Sequence, residues 1–589
     1  MKNEIKGFLK RNIYFSTAKN INSIFDRELK KKSIVITLFV LLSVIIDLIG
    51  LSLIFPIIMI ALDVDVLLSN KYISFIYSLL NFKSNKNFLV FFVSTIFLFF
   101  FLKNLVSIYI QKKQINFGLI VCERFSLNEF KLLTKENFLK IKNMKSTIVE
   151  RNVVTIPYFL VSFIIQPFIL ITTEIIMLLI ILITLIVYDW KIVTLLFISI
   201  TPPFIFAYYF SKNKLQYFTR QIINISPKVN QWIYQSFFGF VDMKILGREN
   251  FLFDKFRKRF REKNYNFGWQ SLYKTIPVKI IEVSIVFLLI IVVMYGFFFV
   301  EDKGEFTIFL TIFSVSLFRV IPLANRIIQS VLLLKGYEYI FEIINKIVPS
   351  RDLNSFSNSN DKFCSLELKN IDFKYDSIKI IDDISFEINK GDCIGLVGES
   401  GSGKTTLVNL ILGFLTPECG KVLYNEQEIK QSTQWVKSIG YVQQNVYILD
   451  ATIKENILFG SQNFDSKKLD DICKEVNIYE FINSLDKKYD THIGELGSLI
   501  SGGQKQRIGI ARALYNDCEI LILDESTNSL DQKTEKEILS SLSALNDKGL
   551  TLILIAHNNN VLTFCNKIIK LENAKCHVLS NEEYFKENN

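Results

Sequence analysis

Apolar and polar positions alternate on two length scales along this chain, and the change of scale divides it. Six windows, near 33–62, 87–111, 155–188, 192–210, 277–300 and 305–330, are almost continuously apolar. At about 1.5 Å per helical residue each is long enough to cross a hydrocarbon core of roughly 30 Å. The third exceeds what a bilayer needs, so its beginning is expected outside the core. Beyond residue 360 the long runs stop, and short β-branched runs alternate with helical stretches, the pattern of an α/β core. A Ser-, Asn- and Asp-rich stretch at 352–360 is a natural linker between the two regimes. The expected architecture is therefore a membrane α-helical bundle of six long transmembrane helices fused to a soluble α/β domain. Its parts are a cytosolic segment 1–32, a transmembrane domain 33–350, a linker 351–362 and a soluble domain 363–589.

The polar connections are uneven. Segments 1–32, 112–154 and 211–276 are rich in Lys and Arg, whereas 188–191 and 301–306 are very short. The positive-inside rule places the N-terminus and both long connections in the cytosol, and an even number of spans returns the chain there. The two long connections carry helix formers and few glycines or prolines, and unstructured loops of that length are uncommon. Spans two to five are expected to continue into the cytosol as long helices. Each pair would turn at a short cap, near 138–146 and 247–254, and these caps would touch the soluble half. Between spans one and two, residues 64–80 fit either an interfacial helix or a packed loop.

Composition supports this division. Half of the 589 residues are apolar, 53 of them Phe, and mean hydropathy is +0.30, high for a soluble enzyme. A formal charge of +11 could suggest nucleic acid, but the cations sit in loops between apolar spans. No nucleic-acid partner is expected. The eight cysteines form no CxxC pair, and with only three histidines a histidine metal site is not expected.

The chemistry begins at Gly398-Glu399-Ser400-Gly401-Ser402-Gly403-Lys404-Thr405-Thr406, between an apolar strand and a helix. This is the G-x-x-x-x-G-K-[ST] phosphate loop in its required context. Glycines let backbone N–H groups wrap the phosphates of ATP, and the helix N-terminus adds partial positive charge. Lys404 supplies a point charge and Thr405 a hydroxyl for Mg²⁺. Downstream, Ile520-Leu521-Ile522-Leu523-Asp524-Glu525 reads as a buried strand ending in two carboxylates. Asp524 can hold Mg²⁺ through water, and Glu525 can polarise the attacking water as general base.

Between these motifs stands Ser501-Gly502-Gly503-Gln504, and here the chain resembles the ATP-binding cassette (ABC) ATPases, whose signature is LSGGQ. The resemblance implies further roles. Tyr375 looks like the aromatic that stacks on adenine, and Gln444 like the glutamine that reaches Mg²⁺ and the attacking water. Asp531 looks like the D-loop aspartate, and His557 like the switch histidine at the γ-phosphate. It also implies that Ser501, Gly502, Gly503, Gln504 and Asp531 serve ATP held by a second chain, so a homodimer is expected. Departures from the common pattern are Ile500 before the signature, Gln443 before Gln444, Ser526, Asn528 and Ser529 after Glu525, and Asn558-Asn559-Asn560 after His557. None removes a catalytic group.

Six spans followed by one cassette resemble the half-transporters among ABC exporters, which places the chain in the bacterial inner membrane with its cassette cytoplasmic. The spans contain Asp47, Lys103, Glu174, Lys279, Glu282, Arg319 and Arg326. Charges at that depth face a cavity or a partner. Arg319 and Arg326 share a helix face two turns apart, and with Lys103 and Lys279 they could attract a pyrophosphate head group. Alternatively Lys279 snorkels to the interface, or Asp47 and Glu282 neutralise the cations. Phe318-Arg319-Val320-Ile321-Pro322-Leu323-Ala324-Asn325-Arg326 resembles the sixth helix of PglK-type flippases of lipid-linked oligosaccharides. That resemblance implies ATP-driven movement of a polyprenyl-diphosphate glycan to the outer leaflet, for protein glycosylation or a related surface glycan. Other export substrates (lipid A, a drug or a peptide) and an ATPase that transports nothing are the alternatives.

Overall fold

The computed structural model describes residues 13–53, 85–136, 138–188, 190–299, 303–346, 362–428, 438–461, 463–524, 532–556 and 559–588. Segment 64–80, the 352–360 linker, Glu525, Asp531 and His557 lie outside the described residues. The chain forms two compact units: Met1–Lys135 with Met144–Ser350, and Glu136–Asn143 with Arg351–Asn589.

The first unit is helical. In chain order it contains α1 (Ile13–Ile24), α2 (Arg27–Ser52) and α3 (Asn85–Thr134). After α4 (Phe138–Asn143), which belongs to the second unit, come α5 (Ser146–Glu150), α6 (Ile156–Leu160) and α7 (Gln166–Tyr188). Then follow α8 (Trp190–Phe238), α9 (Phe240–Ile245), α10 (Glu249–Phe299), α11 (Lys303–Tyr337) and α12 (Ile340–Lys346). Helices α3, α8 and α10 run 50, 49 and 51 residues. At about 1.5 Å per residue each is more than twice the thickness of a hydrocarbon core, so each continues beyond it as expected.

Among the described residues five helical stretches are long and apolar enough to cross a membrane, with window hydropathies of 1.7 to 2.8. Only 6 to 22% of those windows is buried within the unit, so most of their apolar surface faces outward. α11 is not among the five, and its side chains are described only in part.

Proline placement is accommodated locally. α5, α6 and α7 are joined by π-helical turns at Arg151–Thr155 and Val161–Ile165. Pro157, early in α6, has no N–H to offer the carbonyl of Val153, four residues before it. Ser126 Oγ of α3 donates to that carbonyl at 2.7 Å.

The cap between the fourth and fifth spans falls slightly earlier than 247–254. Gly239 ends α8, α9 follows, and Gly247, at φ +59°, makes the turn into α10.

The second unit holds two sheets. β1 (Ser365–Tyr375), β2 (Ile378–Asn389), β4 (Cys419–Tyr424) and β5 (Gln427–Glu428) form an antiparallel sheet in the order β2-β1-β4-β5. The other sheet runs β10-β9-β3-β8-β7-β6, from β3 (Cys393–Gly398), β6 (Ile439–Val442), β7 (Ile520–Asp524), β8 (Thr551–Ile555), β9 (Lys567–Glu572) and β10 (Lys575–Ser580). β3, β6, β7, β8 and β9 are parallel along this sheet, and β10 pairs antiparallel at its edge. β3, β7 and β8 are almost wholly buried, the signature of strands covered on both faces. α13 (Lys404–Ile411) follows β3, and α14 (Gly502–Tyr515) precedes β7.

Candidate functional site

Parallel strands deliver their C-terminal ends to one edge, where ligands bind in open α/β sheets. Here β3 ends at Gly398, β6 at Val442 immediately before Gln443 and Gln444, β7 at Asp524, and β8 at Ile555 two residues before His557. Among the described residues, motifs from Gly398 to Asp524, 126 residues apart in sequence, are thus delivered to one rim.

The loop after β3 is shaped for an anion. Gly403 caps α13 at φ +103°, a conformation that non-glycine residues avoid, and a Cβ there would lie 3.0 Å from Ile380 Cγ2. Lys404 is buried, and its Nζ donates to the carbonyls of Gly398 at 2.7 Å and Glu399 at 2.9 Å. Ser402 Oγ is buried without a hydrogen-bond partner among the described residues. A concave loop with an orphaned hydroxyl at a helix N-terminus fits a phosphate chain. Glu399 and Ser400 are exposed on the loop, Gly401 stands at φ +86°, and Thr406 is buried behind it in α13.

Beside the loop lies a cavity of about 270 Å³ lined by Thr405, Asn409, Tyr441, Gln443, Gln444, Asn445 and Asp524, with Phe138, Lys142 and Phe414. Thr405, Gln444 and Asp524 therefore share one space. A hydroxyl, an amide and a carboxylate are the hard oxygen donors that suit Mg²⁺, so these residues fit that ion.

One participant was not foreseen from sequence. Tyr441 Oη donates to Asp524 Oδ2 at 2.9 Å. Burial pushes the Tyr441 phenol well above its ordinary pKa, and the adjacent Asp524 charge adds to the shift. Phe138 of α4 stacks on Phe414 with centroids 5.2 Å apart at 17°, and with Leu139 it packs on the core of the second unit. Phe138 and Leu139, in the first of the two expected caps, thus pack within the second unit.

Tyr375 ends β1 half-buried, edge-on to Phe373 at 4.9 Å. Ser501 caps α14 through a capping box with Gln504. Ser501 and Gly502 are exposed, and none of Ser501–Gln504 lines the cavity beside the phosphate loop.

In the first unit the charges at membrane depth whose side chains are described are engaged. Arg326 of α11 meets Glu174 of α7 in a two-pronged pair, Nε to Oε1 at 2.5 Å and Nη2 to Oε2 at 3.1 Å. Lys103 pairs with Asp47 at 2.8 Å, and exposed Lys279 with Glu282 at 2.9 Å. Asp47 and Glu282 are therefore the neutralising partners of Lys103 and Lys279, and Glu174 is that of Arg326. Arg319 lies in α11, but its side chain is outside the described residues.

The sequence profile described as ABC transporter matches residues 381–528. Among curated relatives, an ATP-dependent lipid A-core flippase of Saccharophagus degradans is 30% identical over 406 residues, 66% of each chain. A putative export ATP-binding/permease protein of Rickettsia typhi is 39% identical over 243 residues, 40% of this chain and 42% of the relative. An ATP-dependent lipid A-core flippase of Syntrophus aciditrophicus is 37% identical over 238 residues, 40% and 39% of the two chains. In each case the match spans less than two thirds of the relative's length. Among solved structures, a bacterial Atm1-family ABC exporter with ATP bound superposes with a TM-score of 0.77 over 96% of this chain and 97% of that one, at 21% identity.

Proposed function

We propose that this chain, an ABC exporter half-transporter in fold with an ABC nucleotide-binding domain at its C-terminal end, hydrolyses ATP to move a lipid-linked anionic substrate between the leaflets of a bacterial inner membrane. Its N-terminus and nucleotide-binding domain would face the cytoplasm, the side assigned by the basic connections. The observation that carries the ATPase reading is the shared rim that collects Gly398–Thr406, Gln444 and Asp524 from three parallel strands.

Thr405, Gln444 and Asp524 would hold Mg²⁺, which when bound neutralises charge on the phosphoryl oxygens. Lys404, once it exchanges its loop carbonyls for phosphate, contributes a second positive charge. Glu525 is assigned as the base that orients the attacking water, His557 as the γ-phosphate contact, and Tyr375 as the adenine platform. Substituting Glu525→Gln should leave ATP binding intact and reduce turnover to a small residue. Near-normal turnover would remove Glu525 as the base.

Two equivalent chains would complete the machine, with Ser501–Gln504 and Asp531 of one serving ATP on the other. This accords with the outward exposure of Ser501 and Gly502, away from the cavity of their own chain. The exposed apolar tip formed by Phe240, Val241, Ile245 and Leu246 is further surface that a second copy could cover.

For the substrate, the reading is a polyprenyl-diphosphate-linked oligosaccharide destined for protein glycosylation or a related surface glycan. Its supports are Arg319 and Arg326 on one helix and the resemblance of 318–328 to the flippases of such lipids; Lys103 and Lys279, the further cations considered, are paired with Asp47 and Glu282. The pairing of Arg326 with Glu174 means that a pyrophosphate would compete with that carboxylate. Lipid A is the second reading, favoured by relatives named lipid A-core flippases. Neutralising Arg319 and Arg326 together should impair transport of a pyrophosphate lipid in proteoliposomes more than basal ATPase activity. Undiminished transport would sink the head-group assignment.

A further inference from the structure

The tyrosine three residues before Gln444 has no part in the functions assigned so far, yet it touches the carboxylate on which the metal site depends. β6 and β7 are parallel neighbours with Tyr441 opposite Ile522. Side chains alternate along a strand, so Ile522 and Asp524 point to the same face, and Tyr441 shares it. From that position Tyr441 Oη reaches two residues further along β7 and donates to Asp524 Oδ2 at 2.9 Å. An ionised carboxylate only accepts, so the proton in this bond belongs to the phenol. Tyr441 is also part of the cavity wall shared by Thr405, Gln444 and Asp524.

An aspartate at the end of a strand has two rotatable bonds and can swing its carboxylate. β7 fixes the Asp524 backbone through its pairing with β8, where Asp524 stands opposite Ile555, but that pairing does not fix the carboxylate. A ring anchored in the neighbouring strand does, because the Tyr441 backbone is itself tied to β7.

We propose that Tyr441 is a positioning residue for the metal site, its hydroxyl holding Asp524 in the orientation that faces Thr405 and Gln444 across their common cavity. Tyr441 is argued to act through Asp524, the group its hydroxyl bonds. The inference rests on the reading of Thr405, Gln444 and Asp524 as the metal-holding set. Partners that orient metal ligands are commonly worth on the order of tenfold or more in metal affinity.

The test compares wild type, Tyr441→Phe, Asp524→Asn and the double variant, as full-length protein in nanodiscs. The probe is Mn²⁺ with a non-hydrolysable ATP analogue, followed by electron paramagnetic resonance. Nucleotide binding in EDTA and the thermal midpoint without nucleotide are measured alongside. Y441F, which keeps the ring and its packing, should weaken Mn²⁺ binding about tenfold and change its spectrum. Its metal-free nucleotide affinity and thermal midpoint should stay at wild-type values. If Tyr441 acts through Asp524, adding Y441F to D524N should change Mn²⁺ binding no further. Wild-type Mn²⁺ affinity in Y441F, an equal loss in EDTA, or an additive loss in the double variant each overturns the inference. Absence of Mn²⁺ binding in the wild type would overturn the metal-site reading instead, so the two failures are distinguishable.

Discussion

Removing the Glu174 carboxylate tests whether the first unit is held together by charge at membrane depth. In Glu174→Ala the Arg326 guanidinium loses a partner that meets it through two nitrogens. At roughly 3 Å and an effective dielectric constant of about 20 the gross attraction is about 5 kcal/mol. Much of that is offset by desolvation, but deleting one partner of a buried pair usually costs about 3–5 kcal/mol. Glu174 is 9% exposed, whereas the Arg326 side chain is 48% exposed, so the loss is discounted to about 1–3 kcal/mol. Arg326→Ala should cost a similar amount, and the double variant clearly less than the sum, with a coupling of at least about 1 kcal/mol. The assay is a double-mutant cycle on unfolding in nanodiscs, with Glu282→Ala as reference. Glu282 serves the exposed Lys279 pair, where a loss below about 1 kcal/mol is expected. Additivity of the single losses within about 0.5 kcal/mol, or an E174A loss as mild as that of E282A, would refute the reasoning.

Three further outcomes follow from local geometry. Phe138→Ala removes an aromatic stack worth about 0.5–1.5 kcal/mol beyond its buried area. It should lower the thermal midpoint relative to Phe138→Tyr, which retains the stack, and an unchanged midpoint would show that the stack contributes nothing to holding α4. Glu129 is buried in α3, and desolvation raises its carboxyl from an ordinary 4.5 to about 7. The native state therefore favours the proton, so this group's contribution to stability is full below about pH 4.5 and is lost as pH rises through 7. Glu129→Gln should flatten the thermal midpoint against pH across that window, and an unchanged profile would count against it. Ser501→Ala breaks the capping box of α14 and should cost about 1 kcal/mol, while Ser501→Thr retains most of it. A thermal midpoint in S501A equal to wild type would show that the cap contributes nothing.

What was legible in the sequence was local or periodic. The phosphate loop is contiguous, and its chemistry depends on glycine at fixed offsets, so nine residues announced it. The soluble fold followed from buried strands bounded by turns, and the long helices from apolar windows that continue into helix-forming connections. Where periodicity alone set a boundary it slipped: the cap expected at 247–254 is α9 at Phe240–Ile245, because Gly239 and Gly247 bracket it and pattern does not say which glycine turns the chain.

The charges at membrane depth separate the two kinds of information. Sequence gave each cation an address and a reason to need a partner, since hydrocarbon offers none. It could not pair Arg326 with Glu174, 152 residues away, because that choice depends on which faces of α7 and α11 meet. Tyr441 and Asp524 are likewise 83 residues apart, and only the parallel register of β6 and β7 brings a phenol to a carboxylate. By itself the sequence determined which chemistries this protein carries, because side-chain type and short-range spacing are covalent facts. The tertiary structure decided which of those groups answer one another, because hydrogen bonds and ion pairs act over about 3 Å and only the fold closes distances to that length.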